Sequence, residues 1–212
     1  MKLYGFFRSG TSHRLRIALN LKSLSYEQVS VSLAKNQHHQ DEFKALNPQG
    51  LVPVLETEQG LLTQSPAMIE WLEEVYTEVA LLPKDPFEKA KVRALAAIVG
   101  CDIHPINNKR VLEYLRNNLG QDENQVLAWC AEWISKGFEA LEALLQQDQT
   151  RQNFCYGNSA TLADVYLIPQ VYSAKRFKVD LTPYPTIVSI YEHCMQLEAF
   201  QKADPAQQAD AI

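Results

Sequence analysis

The sequence lacks the closely spaced cysteine pairs that hold a zinc ion or build a disulfide framework. Its four cysteines lie far apart in the chain, and none belongs to a CxxC pair: they are Cys101, Cys130, Cys155 and Cys194. This spacing predicts packed, reduced thiols and no metal site.

Basic runs and long apolar runs are also absent from the sequence. Lys and Arg alternate with acidic residues, and the formal net charge is −5 at pH 7, which argues against a nucleic-acid partner. No stretch approaches the roughly 18 uninterrupted apolar residues of a membrane helix, and the apolar run behind Met1 and Lys2 is too short for a signal peptide. We therefore expect a soluble, cytoplasmic protein with neither a nucleic-acid nor a membrane partner.

The residues that are present divide the chain into two unlike halves. In the first half, short apolar strands and helical patterns follow one another in the order β-α-β-α-β-β-α. The stretch "TEVALLPKDPFEKA" then carries two prolines, which indicates a linker, and the segments beyond it have helical spacing. These patterns predict an α/β domain at residues 1–78, a linker at 79–87 and an all-helical domain at 88–212.

The first predicted strand leads into the turn Ser9-Gly10-Thr11-Ser12, where a helix begins. A helix N-terminus offers unpaired N–H groups and the positive end of the helix dipole to an anion, and the three hydroxyl groups of this turn add donors. Arg8 or Arg14 would lower the pKa of a thiol held there. Because the turn has no cysteine, such a thiol must arrive on a ligand, for which glutathione is the obvious candidate. An ordinary serine cap is the alternative interpretation.

Two further segments of the first half suit a bound peptide. Pro53 stands at the start of a strand, where it has no N–H for the ladder, and a cis peptide after Val52 would expose the N–H and C=O of Val52 to an extended peptide. An edge-strand proline is the alternative. Gln64 and Ser65 stand where the next helix begins, with Ser65 as the predicted N-cap and Pro66 at the first helical position. A carboxylate would bind at such a helix end.

In the second half, polar residues and a proline interrupt an apolar helix along "GCDIHPINNKR", residues 100–110. An interior proline costs a helix about 3 kcal/mol, so the interruption needs a reason. His104 and Asn108 share one face if the helix continues, whereas Arg110 points elsewhere. The alternatives are a kinked helix with solvated polar groups and, for Arg176 further along the chain, an ordinary surface cation.

Six stretches together carry a family resemblance: "FFRSGTSHRLRIAL", "LNPQGLVPVL", "QSPAMIEWLEE", "LLPKDP", "TLADVYLIPQV" and "RFKVDLTPYP". They resemble the zeta class of glutathione transferases, which includes the maleylacetoacetate and maleylpyruvate isomerases. The similarity covers nearly the whole chain, in order and with matching spacing. It implies an α/β thioredoxin-like N-terminal domain, an all-α C-terminal domain and a homodimer.

The resemblance also implies a role for each candidate residue. Glutathione would be bound by Ser9, Thr11, Ser12, His38, Val52, Gln64, Ser65, His104 and Asn108. The substrate would be bound by Arg8, His104, Arg110 and Arg176, and catalysis would depend on Ser9, Thr11, Arg8 and Arg176. Many zeta members carry Ser-Ser-Cys where this chain has Ser9-Gly10-Thr11, so we do not expect a protein thiol to act.

The activity implied by the resemblance is cis-trans isomerisation of a small maleyl dicarboxylate in aromatic compound catabolism, with glutathione as the cofactor. The glutathione thiolate would add to the double bond and leave again after rotation, while arginine charges stabilise the developing enolate. Maleylacetoacetate and maleylpyruvate share the dicarboxylate, so the sequence leaves both substrates open. A glutathione-conjugating transferase and a non-catalytic interaction module with the same fold are the alternatives.

Overall fold

The computed structural model describes residues 1–211. The contacts between residues divide the chain into two compact units. The first consists of residues 1–81 and the segment that begins at Gln196, and the second of residues 82–195. The boundary between residues 81 and 82 falls within the segment that the sequence predicts to be a linker.

A four-stranded mixed sheet forms the centre of the first unit. Its strands are β1 (Lys2–Gly5), β2 (Glu27–Ser30), β3 (Val54–Thr57) and β4 (Gly60–Thr63), and they lie in the order β2-β1-β3-β4. β2 runs parallel to β1, whereas β3 is antiparallel to both β1 and β4.

The register places three chain segments at one end of this sheet. Tyr4, near the end of β1, pairs with Val54 at the start of β3, and Val54 pairs with Thr63 at the end of β4. The segments that follow β1, precede β3 and follow β4 therefore leave the sheet side by side. They are the three segments that the sequence analysis selects as ligand-binding.

Three helices of the first unit alternate with these strands. They are α1 (Gly10–Leu21), α2 (Asp41–Leu46) and α3 (Ser65–Val75). The predicted order β-α-β-α-β-β-α is confirmed. Leu15, Ala18 and Leu19, which the spacing predicts to share the buried face of α1, are inaccessible to solvent.

The second unit contains helices joined by turns, with no strand among its described residues. Its helices are α4 (Pro86–Ala97), α5 (Lys109–Asn117), α6 (Glu123–Gln147), α7 (Leu162–Arg176) and α8 (Pro185–Cys194). At the start of α7, the buried carboxylate of Asp164 accepts hydrogen bonds of 2.8 Å from the N–H groups of Cys155 and Thr161. Within residues 1–211, no helix has the length and apolar character needed to cross a membrane.

The last helix, α9 (Glu198–Ala203), belongs to the first unit and packs on α1. Asn20 Nδ2 donates to the carbonyl oxygen of Ala199, and Arg16 Nε donates to that of Ala203, both at 2.9 Å. The sequence analysis places this segment in the helical domain at 88–212, and the structure differs. Helical spacing shows that a segment has an apolar face but not which surface that face will cover.

Candidate functional site

The turn between β1 and α1 has the cap geometry that a helix N-terminus requires. Ser9 is the N-cap residue of α1, and its Oγ accepts a hydrogen bond of 3.3 Å from the backbone N–H of Ser12. The helix begins at Gly10, so Thr11 and Ser12 lie in its first turn. The positive end of the α1 dipole therefore lies at the predicted thiolate position.

The hydroxyl groups of Ser9 and Thr11 form a directed chain of hydrogen bonds. Thr11 Oγ1 donates to the carbonyl oxygen of Val52 at 2.9 Å, and it lies 2.9 Å from Ser9 Oγ. Since the Thr11 hydroxyl has a single proton, Ser9 is the donor in the bond between the two hydroxyls. The structure thus brings together the turn and the segment before β3, two of the segments that the sequence analysis selects.

The peptide bond between Val52 and Pro53 is cis, and the side chain of Val52 is buried. The loop before it makes a tight turn at Gly50, whose φ is +62°. A Cβ atom at Gly50 would lie 2.9 Å from the carbonyl oxygen of His38, so only glycine allows these two segments to approach so closely. His38 is buried, and its ring lies 3.9 Å from that of His39.

The start of α3 supplies the third part of the site. Gln64 is the N-cap residue, with φ 67° and ψ 107°, and Ser65 is the first residue of the helix. The prediction of Ser65 as N-cap is therefore wrong by one position, because the chain enters the helix through the left-handed backbone of Gln64. Such a backbone is rare outside glycine and concentrates at functional sites.

Two polar side chains stand at the start of α3, those of Gln64 and Ser65. The Ser65 Oγ is buried and has no hydrogen-bond partner among the described residues. Gln64 Nε2 donates to Gln49 Oε1 at 2.6 Å. A buried hydroxyl without a partner costs folding free energy, so this arrangement fits a site that a ligand completes.

The positively charged side chains nearest to the turn in sequence are those of Arg8 and Arg14. Arg8 is exposed, with its guanidinium carbon 5.3 Å from the centre of the Phe7 ring, and Arg14 is buried. Burial, with the nearby charges of Arg16 and Arg14, holds the pKa of His13 well below its ordinary value. His13 is therefore neutral at neutral pH and adds no charge here.

In the second unit, the helix that would place His104 and Asn108 on one face does not continue. A π-helical turn (Ile98–Ile103) and a 3-10 turn (Pro105–Asn107) follow α4. Asn108 is then the N-cap residue of α5, and its Oδ1 accepts a hydrogen bond of 3.2 Å from the N–H of Arg110. The condition for a shared face is therefore not met, because Pro105 has no N–H with which to continue the helical ladder.

Close packing holds this interrupted segment in place. A Cβ atom at Gly137, in the middle of α6, would lie 2.2 Å from the side chain of Ile103. Trp129 Nε1 donates to the carbonyl oxygen of Ile106 at 3.0 Å. The irregular turns that carry His104 are therefore fixed against α6, and π-helical turns occur frequently at functional sites.

Arg176 is the last residue of α7 and is exposed to solvent. Its guanidinium carbon lies 4.3 Å from the centre of the Phe177 ring. Burial raises the pKa of the Cys130 thiol to about 11, and the charges of Arg176 and Arg116 oppose that rise. Among the described residues, no three His, Cys, Asp or Glu side chains are grouped as a metal site would need.

Sequence reasoning missed three side chains that contact the site of the first unit: Arg16, Gln49 and Asp210. Arg16 Nη2 donates to the carbonyl oxygen of Phe7 at 2.9 Å, and an Asp210 oxygen accepts from the N–H of the same residue at 3.1 Å. The buried helical position of Arg16 is a signal that could have been used. Asp210 is 203 positions from Phe7, and no local pattern reveals such a contact.

Comparison with protein families and curated proteins yields closely similar sequences. Residues 8–75 match the family model of the glutathione S-transferase N-terminal domain. A maleylpyruvate isomerase from a Ralstonia species is 61% identical over 211 residues, which span 100% of both chains. A maleylacetoacetate isomerase from Pseudomonas aeruginosa PAO1 is 47% identical, with 99% of this chain and 98% of the relative covered.

Solved structures agree with the architecture described above. A maleylpyruvate isomerase described as a bacterial zeta-class glutathione transferase has a TM-score of 0.99 and 60% identity, covering 100% of both chains. A maleylacetoacetate isomerase from Methylobacterium extorquens AM1, solved with malonate and glutathione bound, has a TM-score of 0.96 and 38% identity, again over 100% of both chains. These likenesses confirm the predicted α/β thioredoxin-like unit and helical unit.

Proposed function

The chain belongs to the zeta class of glutathione transferases of the maleylacetoacetate and maleylpyruvate isomerase type, and we propose that it isomerises a small maleyl dicarboxylate from cis to trans. Glutathione is the cofactor of this isomerase family. The turn at the start of α1 supports the proposal most directly. It joins a helix N-terminus to a chain of hydroxyl groups and contains no cysteine of its own.

The first unit fits the middle and the γ-glutamyl end of glutathione. The backbone of Val52, beside the cis bond, would pair with its middle, and His38 would lie near this part. Gln64 and Ser65 would receive the γ-glutamyl carboxylate, because a helix N-terminus attracts an anion and the buried Ser65 hydroxyl has no other partner among residues 1–211.

The remaining groups act on the sulfur and on the substrate. Bound glutathione supplies a thiolate that adds to the carbon–carbon double bond and turns it into a single bond. This bond rotates, and loss of the thiolate then restores the double bond in the trans form. The hydroxyl groups of Ser9 and Thr11 and the α1 N-terminus would keep the thiol ionised. The second-unit candidates would serve the substrate, with His104 and Asn108 also contacting glutathione.

Guanidinium groups suit a maleyl substrate because it carries two carboxylates. Arg8, Arg110 and Arg176 are all exposed, and each offers a planar fork of donors that binds a carboxylate through two hydrogen bonds. Their charge would also stabilise the negative charge that develops on substrate oxygen during the reaction. A relative solved with malonate, itself a small dicarboxylate, supports this substrate class.

Between the two substrates, the sequence identities favour maleylpyruvate. The chain is 61% identical to a maleylpyruvate isomerase and 47% identical to a maleylacetoacetate isomerase. We therefore propose maleylpyruvate as the first substrate to test.

The test follows the absorbance of maleylpyruvate, and separately of maleylacetoacetate, with purified protein. Glutathione, no thiol and S-methylglutathione form the three arms. We expect turnover with glutathione alone, a fumaryl product and no loss of glutathione. Accumulation of a glutathione adduct would indicate a conjugating transferase instead. Retention on glutathione-agarose without turnover of either compound would indicate a binding module.

We also propose that the enzyme acts in the cytoplasm as a homodimer. Its four cysteines are unpaired, and three of them are buried, which suits a reducing compartment. The dimer is an expectation from the zeta class. Light scattering coupled to gel filtration would test it, since a monomer of 24.1 kDa is easily distinguished from a dimer of twice that mass.

A further inference from the structure

Phe7 lies between β1 and the glutathione turn, residues 9–12, where glutathione is proposed to bind. Both polar groups of its backbone form hydrogen bonds with side chains. Its N–H donates to an Asp210 carboxylate oxygen at 3.1 Å, and its carbonyl oxygen accepts from Arg16 Nη2 at 2.9 Å. Phe7 is two residues from Ser9, the N-cap of α1. Any change in the Phe7 backbone therefore moves the first residue of the candidate thiolate site.

Both side chains connect residues 196–211 to the Phe7 backbone. Arg16 is completely buried, and its Nε donates to the carbonyl oxygen of Ala203 at 2.9 Å. Asp210 belongs to the same segment. Ala211 packs against an apolar cluster that includes Phe7 and Val52. The segment thus reaches the turn through two hydrogen-bonded side chains and one packing contact.

We propose that Asp210 is a positioning residue for the glutathione turn: its carboxylate holds the Phe7 N–H and thereby sets the place of Ser9 and of the α1 N-terminus. This inference rests on the proposed use of that turn for the glutathione sulfur. A hydrogen bond to a carboxylate is stronger than one between neutral groups, and small displacements of groups that contact a reacting atom lower the rate strongly.

A purely structural role would also explain part of the geometry. Asp210 accepts from Ser30 Oγ at 2.7 Å and from Gln28 Nε2 at 3.4 Å, and both donors belong to β2. These two bonds attach the segment to the sheet, and Ser30 donates to Oδ2, the same oxygen that accepts from the Phe7 N–H. Ser30→Ala removes the shorter of them and keeps both the Asp210 carboxylate and the Phe7 N–H, which makes it the matched control.

The experiment compares Asp210→Ala, Asp210→Asn and Ser30→Ala in the full chain. Amide hydrogen exchange at Phe7 and Ser9 is measured without glutathione, and the thiol pKa of bound glutathione is titrated by its ultraviolet absorbance. For Asp210→Ala we expect faster exchange at Phe7, a raised thiol pKa and a kcat lowered by about three- to tenfold, the range of one hydrogen bond. Asp210→Asn, which keeps an acceptor oxygen, should recover most of each loss, and Ser30→Ala should lose clearly less than Asp210→Ala because the carboxylate remains.

Two results would overturn the inference. One is an unchanged thiol pKa and kcat in folded Asp210→Ala. The other is an equal change of thiol pKa and kcat in Ser30→Ala, which would mean that Asp210 only attaches residues 196–211 to the sheet. If Asp210→Ala does not fold, Asp210→Leu takes its place, because leucine has a similar shape and no acceptor, and the same losses are expected. Amide exchange and the thiol pKa need no turnover, so absence of isomerase activity in the unmodified protein would refute the proposed function separately.

Discussion

The Thr11 hydroxyl donates its proton to the carbonyl oxygen of Val52 at 2.9 Å. That proton is therefore already engaged, and Thr11 would have to give up the bond to Val52 to donate to a bound thiolate. Ser9, in contrast, donates only to Thr11, and rotation about its Cβ–Oγ bond turns its proton away from Thr11 without moving the oxygen that caps α1. The two hydroxyl groups of the turn thus have different hydrogen-bond partners, which the sequence alone does not reveal.

We predict that Ser9 is the principal hydroxyl donor to the glutathione thiolate. A donor to the thiolate favours the ionised form, so its loss raises the thiol pKa and moves the pH–rate profile to higher pH. Ser9→Ala should show this shift clearly, and Thr11→Val should show a smaller one. The measurement is the ultraviolet titration of bound glutathione, and a free-glutathione pKa in the unmodified protein would contradict the prediction.

Ser9 is also the N-cap of α1, so loss of the cap must be separated from loss of the donor. Ser9→Gly serves as the control, because glycine is a tolerated N-cap without a hydroxyl group. Ser9→Ala should lower the free energy of unfolding by about 1 kcal/mol and Ser9→Gly by a few tenths. Both variants should raise the thiol pKa equally. A rise in Ser9→Ala alone would mean that the cap, not the hydroxyl, is responsible.

Arg176→Ala should lower kcat/KM for the dicarboxylate and leave the glutathione Kd unchanged, because the proposed partner is a substrate carboxylate. Loss of one charge-assisted contact corresponds to about 1.5–3 kcal/mol. Arg176→Lys keeps the charge but not the planar fork, so its kcat/KM should lie between those of the unmodified protein and Arg176→Ala. Arg116→Ala is the control, since Arg116 also lies near Cys130 but pairs with Glu123. Unchanged turnover in Arg176→Ala would remove Arg176 from the site.

Single replacement of any of the four cysteines by Ala should leave isomerase activity largely intact. Burial raises the pKa of Cys155 and Cys194 and brings that of Cys130 to about 11, so these thiols stay protonated at neutral pH and are poor nucleophiles. Cys101 is exposed and forms no disulfide. Steady-state kinetics of the four variants, with circular dichroism to confirm folding, tests this. Complete loss of activity in one folded variant would indicate a protein nucleophile.

Local patterns explain why much of the fold was predictable. The alternation of short strands with apolar-faced helices decides the order of elements, and hydrophobic burial enforces it, as the inaccessible Leu15 and Leu19 show. The interruption around Pro105 was predictable for the same reason, since a missing N–H acts locally. Its form was not, because the choice of a π turn and a new cap at Asn108 depends on packing against α6.

Contacts between distant parts of the chain explain the rest. Helix α9 has ordinary helical spacing, and its place on α1 is decided by Arg16 and Asn20, which lie far away in the sequence. The Asp210 contact with Phe7 is of the same kind. In the candidate site, hydroxyl residues at a helix start were recognisable, whereas the direction of each proton depends on a carbonyl 41 positions away.

The last prediction concerns Ser65, whose buried hydroxyl has no partner among the described residues. A buried polar group without a partner costs about 1–3 kcal/mol. Ser65→Ala should therefore raise the free energy of unfolding of the glutathione-free protein by about 1 kcal/mol. The same change should weaken glutathione binding, because the bound carboxylate loses a donor. Chemical denaturation and calorimetric titration measure the two effects.

Cysteinylglycine, which lacks the γ-glutamyl group, identifies the part of glutathione that Ser65 contacts. The unmodified protein should bind glutathione more tightly than the dipeptide, and Ser65→Ala should narrow that difference by about tenfold, the equivalent of one charge-assisted hydrogen bond. Ser135→Ala, in α6 of the second unit, is the control and should change neither affinity. If Ser65→Ala weakens both ligands equally, the hydroxyl supports the start of α3 and does not bind the carboxylate.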